Sequence, residues 1–155
     1  AGSAASSAAD VQGTGAARPI DCNKVFVPAD VAGILTARAT ISSDTLLGPG
    51  GCRFETAKGA IVTTYVGSDE DAQVTWNDVN ATTDRRHYTP MSGVGDAAFW
   101  REAGASAWFL AKKGDEYCRV ELGIPGGAGE ETGRARGVDL AKRLGMLCTK
   151  AFAAT

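Results

Sequence analysis

The chain has one histidine, His87, and no two cysteines in a C-x-x-C arrangement. That scarcity excludes a multi-histidine metal centre, zinc-finger spacing and thioredoxin-like redox chemistry. A Ser-His-Asp or Cys-His nucleophilic system could be built only around His87. No apolar run approaches the roughly 20 residues that span a bilayer; stretches such as Ala105 to Ala111 are soon interrupted by polar residues. Charge of one sign is also missing. A formal net charge of −2 over 155 residues gives no reason to expect nucleic acid or an anionic membrane as partner.

What is present is ordinary globular material: 44% hydrophobic and 22% charged residues. One domain of this length buries roughly 70% of the surface its unfolded chain exposes. Residues 1–17 are nearly all Ala, Gly and Ser. They cannot bury enough apolar surface to offset the entropy of ordering, so the expectation is a flexible leader ahead of a single α+β domain over 18–155. The leader has no signal-peptide core; it looks like the first stretch of a chain whose signal peptide has been removed, or like a tether from a lipid anchor in the native precursor. Together with four separated cysteines, Cys22, Cys52, Cys118 and Cys148, it points to an exported protein of the periplasm, cell envelope or extracellular space, closed by two disulfides. Three pairings are open from the sequence.

Pro28 and Asp30 suit the first turn of a helix, and Val31, Ile34 and Leu35 give it an apolar stripe. Residues 42–51 read as a loop. Cys52 to Thr56 and Ala60 to Val66 read as strands around a turn at Lys58-Gly59. Ser68-Asp69-Glu70-Asp71 resembles a capping box, with Ala72, Trp76 and Val79 at helical spacing, so a helix is expected from Asp69 to about Thr82. Thr83 to Ser92 reads as a polar loop. Three strands come next, Ala97 to Arg101, Ser106 to Lys112 and Tyr117 to Ile124, the last two as a hairpin. In the last of them Cys118, Val120 and Leu122 define a buried face, with Tyr117, Arg119 and Glu121 on the wet one. Gly123 to Gly129 is a glycine-rich loop, and a helix from about Glu131 to Phe152 buries Leu140, Leu144, Leu147 and Ala151. The expected order is αββαβββα: about five antiparallel strands with N-terminal, middle and C-terminal helices on one face.

The chemistry-bearing candidates mostly have simpler readings. His87 lies in a polar loop beside Arg85 and Arg86, which suits a solvent-exposed side chain better than a catalytic one. Asp69, Glu70 and Asp71 suit the positive end of a helix dipole. Gly93-Val94-Gly95-Asp96-Ala97-Ala98 copies a dinucleotide fingerprint but lacks the strand before and helix after it. The loop at Gly123 to Gly129 lacks the Gly-Lys-Ser/Thr ending of a phosphate loop. No catalytic residue, metal ligand or cofactor is therefore assigned. The aromatics Trp76, Phe99, Trp100, Trp108 and Phe109 remain. They suit core packing, but neighbours in a strand point to opposite faces. One member of Phe99-Trp100 and one of Trp108-Phe109 must then leave the helix-covered face, where exposed aromatic surface would mark an interaction site.

Asp21-Cys22, Val27-Pro28-Ala29-Asp30-Val31, Gly51-Cys52-Arg53-Phe54 and Gly93-Val94-Gly95-Asp96-Ala97-Ala98 together resemble a family of bacterial cell-envelope lipoproteins, best known in actinobacteria, that carries a domain of unknown function. The likeness covers most of residues 20 to 148. It implies a Cys22–Cys52 pair, matching the family's two domain cysteines, and with it a Cys118–Cys148 pair. The alternative is Cys22 with Cys148 and Cys52 with Cys118. The chain departs from the family in lacking a lipidation cysteine near its start and in carrying Cys118 and Cys148. The family brings no catalytic residues to transfer. The functional expectation is a non-catalytic exported or envelope-associated protein that binds a protein partner or a small apolar ligand. A small hydrolase using carboxylates or His87, and a structural subunit of an envelope assembly, are the alternatives.

Overall fold

Alternation of apolar and polar residues between positions 49 and 125 builds most of one antiparallel sheet. The computed structural model describes residues 19–44, 49–68, 70–80, 87–125 and 133–154. Seven strands lie within them: β1 (Ala39–Ser43), β2 (Gly51–Thr56), β3 (Ile61–Gly67), β4 (Thr89–Met91), β5 (Ala97–Ala103), β6 (Ser106–Lys113) and β7 (Glu116–Gly123). Three α-helices accompany them: α1 (Cys22–Val25), α2 (Glu70–Asn80) and α3 (Gly137–Ala153). The sheet order is β1-β2-β3-β7-β6-β5-β4, every pair antiparallel.

The architecture is α+β, as expected, but it has seven strands instead of about five. β1 takes unassigned chain and the first two residues of the expected 42–51 loop, Ser42 and Ser43, and β4 falls in the expected polar loop; these are the two edges. The N-terminal helix is also shorter than its apolar stripe suggests. Only a 3-10 turn at Pro28–Val31 forms there, and a short helix that the sequence pattern does not mark, α1, precedes it. Asp30 Oδ2 accepts the Val27 N–H at 2.8 Å, and the chain turns at Gly33 with φ +84°. Val31, Ile34 and Leu35 are buried all the same. α3 begins at Gly137, later than the expected Glu131; Ala135 instead donates its N–H to Gly33. Residues 1–17, Asp69, residues 81–86 and Gly126 to Glu131 lie outside the described residues.

The helices do not share one face. On one side of the sheet Phe54, Val62, Val66, Phe109, Ala111, Val120 and Leu122 pack beneath Leu140, Leu144, Leu147 and Cys148 of α3, with Phe26 and Ile34 from the N-terminal segment. On the other side Tyr65, Phe99, Leu110 and Tyr117 pack beneath Ala72, Trp76 and Val79 of α2. Tyr117 is thus buried, not on a wet face. Those four large side chains make an apolar patch on the second face that needs a cover, and the amphipathic stripe of α2 supplies it.

Both disulfides lie inside the α3-side core. Cys22–Cys52 joins α1 to β2, and Cys118–Cys148 joins β7 to α3, each with Cα atoms 5.7 Å apart. All four sulfurs belong to buried residues. Two such bridges fit an oxidising, exported environment. Among the described residues no helix is long and apolar enough to cross a membrane.

Candidate functional site

Strand pairing carries one row of side chains straight across the face that α2 only partly covers. Arg53 pairs with Thr63, Thr63 with Glu121, Glu121 with Trp108 and Trp108 with Arg101. The period of two puts these side chains on the α2 side of the sheet. The next row in the direction of α2, Tyr65–Arg119–Leu110–Phe99, runs under the helix. The Trp108 row lies beyond it, and every member is half-buried.

Here the five aromatics separate. Trp76 and Phe99 meet in the α2 layer with ring centroids 5.4 Å apart, and both are buried. Phe109 is fully buried under α3, and Trp100 is half-buried against that same core. Trp108 alone faces the uncovered part of the sheet. Each adjacent pair is divided between the two faces, as strand geometry demands, so the five do not converge on one surface.

Around Trp108 lies an open depression of about 460 Å³, floored by Ile61, Thr63, Gly123 and Glu121 and walled by Pro125. The Arg101 guanidinium carbon sits 5.1 Å from the Trp108 ring centroid, within cation–π range. Neighbouring charges are already paired along their own strands. Arg53 meets Glu55 at 3.1 Å, and Arg119 meets Glu121 at 3.7 Å while lying over the Tyr65 ring. Arg101 pairs with no described carboxylate. The face therefore offers one aromatic plate, one guanidinium with donors to spare and a border of compensated charge. Tryptophan and arginine within a polar rim are residue types enriched at protein–protein interfaces. Beneath α2 the enclosed space is only about 10 Å³, far short of the several hundred that hold a small molecule.

His87 is exposed in the turn before β4, and no described carboxylate or hydroxyl is bonded to it. No group of three or more His, Cys, Asp or Glu able to hold a metal occurs among the described residues. Gly93-Val94-Gly95-Asp96 is a corner. Asp96 donates its N–H to the Lys112 carbonyl at 2.7 Å, and its Oδ2 accepts the Gly114 N–H at 2.7 Å. Gly95 has φ +59°, and a Cβ there would lie 2.5 Å from the Lys112 oxygen. The motif locks the start of β5 to the β6–β7 hairpin. Of the acidic run, only the backbone of Glu70 and Asp71, in the first turn of α2, is described.

Arg101, Ile61, Glu121 and Pro125 are not singled out by sequence pattern. The β6–β7 hairpin places Glu121 opposite Trp108, so that neighbour is within reach of a register argument. Arg101 requires the β5–β6 pairing as well.

No family model matches the chain, and no curated protein matches it. A solved structure of a GTP-binding regulator from Thermotoga maritima is similar over 82% of this chain and 90% of that chain, at 16% identity and a TM-score of 0.37. A likeness of that degree carries no argument about activity.

Proposed function

We propose that this is an exported, envelope-associated binding protein whose sheet face around Trp108 docks a protein partner. The observation that supports the reading is the position of Trp108, half-buried on the α2 side of the sheet, beyond the helix that covers Phe99 and Leu110. An aromatic left on a sheet face, beside an arginine that no described carboxylate engages, is what a binding hot spot needs. A protein partner is favoured over a small apolar ligand because the space near Trp108 is open and the space under α2 is too small. The two buried disulfides support the exported setting. The likeness of Cys22, Cys52 and the Gly93–Ala98 corner to envelope lipoproteins supports attachment at the cell surface.

The test is quantitative affinity capture from an envelope extract of the native host. Wild type is compared with Trp108→Ala, Arg101→Ala and, as a control on the exposed side of α3, Val138→Ser. A partner that is held by wild type and Val138→Ser and depleted at least tenfold by both face variants supports the proposal. Equal recovery on all four baits counts against it.

A further inference from the structure

Arg53 on β2, Arg119 on β7 and Arg101 on β5 all stand on the α2 side of the sheet, and two of them have carboxylate partners. Arg53 meets Glu55 and Asp44, and Arg119 meets Glu121. Arg101 makes no ion pair or hydrogen bond with any described residue; it lies only against the Trp108 ring. It is half-buried all the same. A guanidinium so placed has lost part of its hydration and has gained no acceptor in exchange. Contact with an indole face leaves its N–H groups unused, five donors in the fork geometry that matches a carboxylate.

On the other side of Trp108 the surface changes character. Gly123 pairs with Ser106 of β6 and Ile61 of β3, and a Cβ at Gly123 would meet no atom within 4 Å. The missing side chain opens the hollow beside Trp108, which Ile61 and Pro125 bound. Sheet order puts Trp108 on β6, between that hollow on β7 and Arg101 on β5. A cationic fork, an aromatic plate and a mostly apolar hollow thus follow one another across three strands.

We infer that the partner docks an extended acidic segment on this face. Its carboxylate pairs with Arg101 beside Trp108, and an aliphatic side chain fills the hollow over Gly123. Two strand spacings separate Arg101 from Gly123, roughly 10 Å, which about three residues of extended chain span. The inference rests on the reading of the Trp108 face as a protein-binding surface and names what that surface selects. A basic segment would set like charge against Arg101. A neutral one would cover a half-buried cation without pairing it, the costlier arrangement. Glu55 and Glu121 are already engaged by Arg53 and Arg119, so neither calls for a basic partner.

A phage-displayed library of random peptides, selected on the full chain and counter-selected on Trp108→Ala, tests it. Peptides that wild type retains and Trp108→Ala loses should carry Asp or Glu with Leu, Ile or Val about three positions away. In synthetic copies of them, exchanging the acid for its amide should weaken binding to wild type about tenfold. On Arg101→Gln the same exchange should change binding less than about twofold. Circular dichroism checks the folding of Arg101→Gln; if that variant does not fold, the peptide exchange on wild type decides. Trp108-dependent peptides without an acid, or an exchange that leaves wild-type affinity unchanged, overturn the inference and leave the Trp108 face standing as a binding surface. An equal loss on Arg101→Gln overturns it too. A library that yields no Trp108-dependent peptide overturns both, the outcome expected if the face is left free or takes an acidic glycan instead.

Discussion

Gly137 donates its backbone N–H to Glu102 Oε1 at 2.8 Å, so a carboxylate from β5 caps the N-terminus of α3. The helix's own N-cap residue, Arg136, makes no side-chain cap. Glu102 Oε2 meanwhile lies 3.0 Å from Arg136 Nε and 3.5 Å from Arg134 Nη1. The Arg134 side chain is 0% exposed, and it also donates to the Gly104 and Ala135 carbonyls. One carboxylate thus satisfies an orphan helix donor and balances a buried cation.

Glu102→Ala should accordingly cost about 3 kcal/mol, because it leaves the Arg134 charge buried beside an uncapped helix. Urea denaturation measures it. A loss below about 1 kcal/mol would show that the carboxylate is dispensable there.

Trp108 and Phe109 are neighbours in β6 with opposite fates, and their alanine variants should separate stability from binding. Phe109→Ala removes a fully buried ring and should cost about 3–5 kcal/mol. Trp108→Ala, on the half-open face, should cost clearly less, about 1–2 kcal/mol. Paired denaturation curves check the order, and a reversal would place Trp108 among the structural residues.

The two disulfides span the same sequence separation, 30 residues, so the chain-entropy contribution of each is about 3.5 kcal/mol. Replacing either pair by alanines should lower stability by a comparable amount. Intact mass with and without reductant, then denaturation of each double variant, tests this. A mass shift for fewer than two bridges would contradict the cysteine framework.

Gly95 and Gly104 have nearly the same backbone conformation, φ +59° and +60°, but different surroundings. Gly104→Ala meets no atom within 4 Å and should cost about 1 kcal/mol from backbone strain alone. Gly95→Ala adds the collision with the Lys112 carbonyl and should cost at least about 2 kcal/mol. Thermal melts of the two variants make the comparison, and equal losses would contradict the role given to the corner.

Strands with a strong period of two, such as β3 and β7, are readable from the sequence because both of their faces carry a signal. β1 has one large apolar residue, Ile41, and β4 has Pro90 at its centre; an edge strand buries too little to write a pattern. The division of Phe99 from Trp100, and of Trp108 from Phe109, comes from strand geometry alone. Which of the outward members stays uncovered does not. That depends on where α2 lies along the strands, which Ala72, Trp76 and Val79 settle by contacts with Phe99 and Tyr117 far away in the sequence. The disulfide pairing comes from the Cys22 and Cys52 landmarks of the family resemblance, since spacing alone leaves three possibilities.

The binding role of the Trp108 face is the central claim, and hydroxyl-radical footprinting tests it most directly. The protein is oxidised alone and in the presence of its host's envelope extract, and modification is read residue by residue. Met146, 67% exposed on α3, serves as the internal reference. Oxidation of Trp108 should fall several-fold with the extract while Met146 stays unchanged. Protection of Met146 with Trp108 unaltered would contradict the account and move the binding surface to α3.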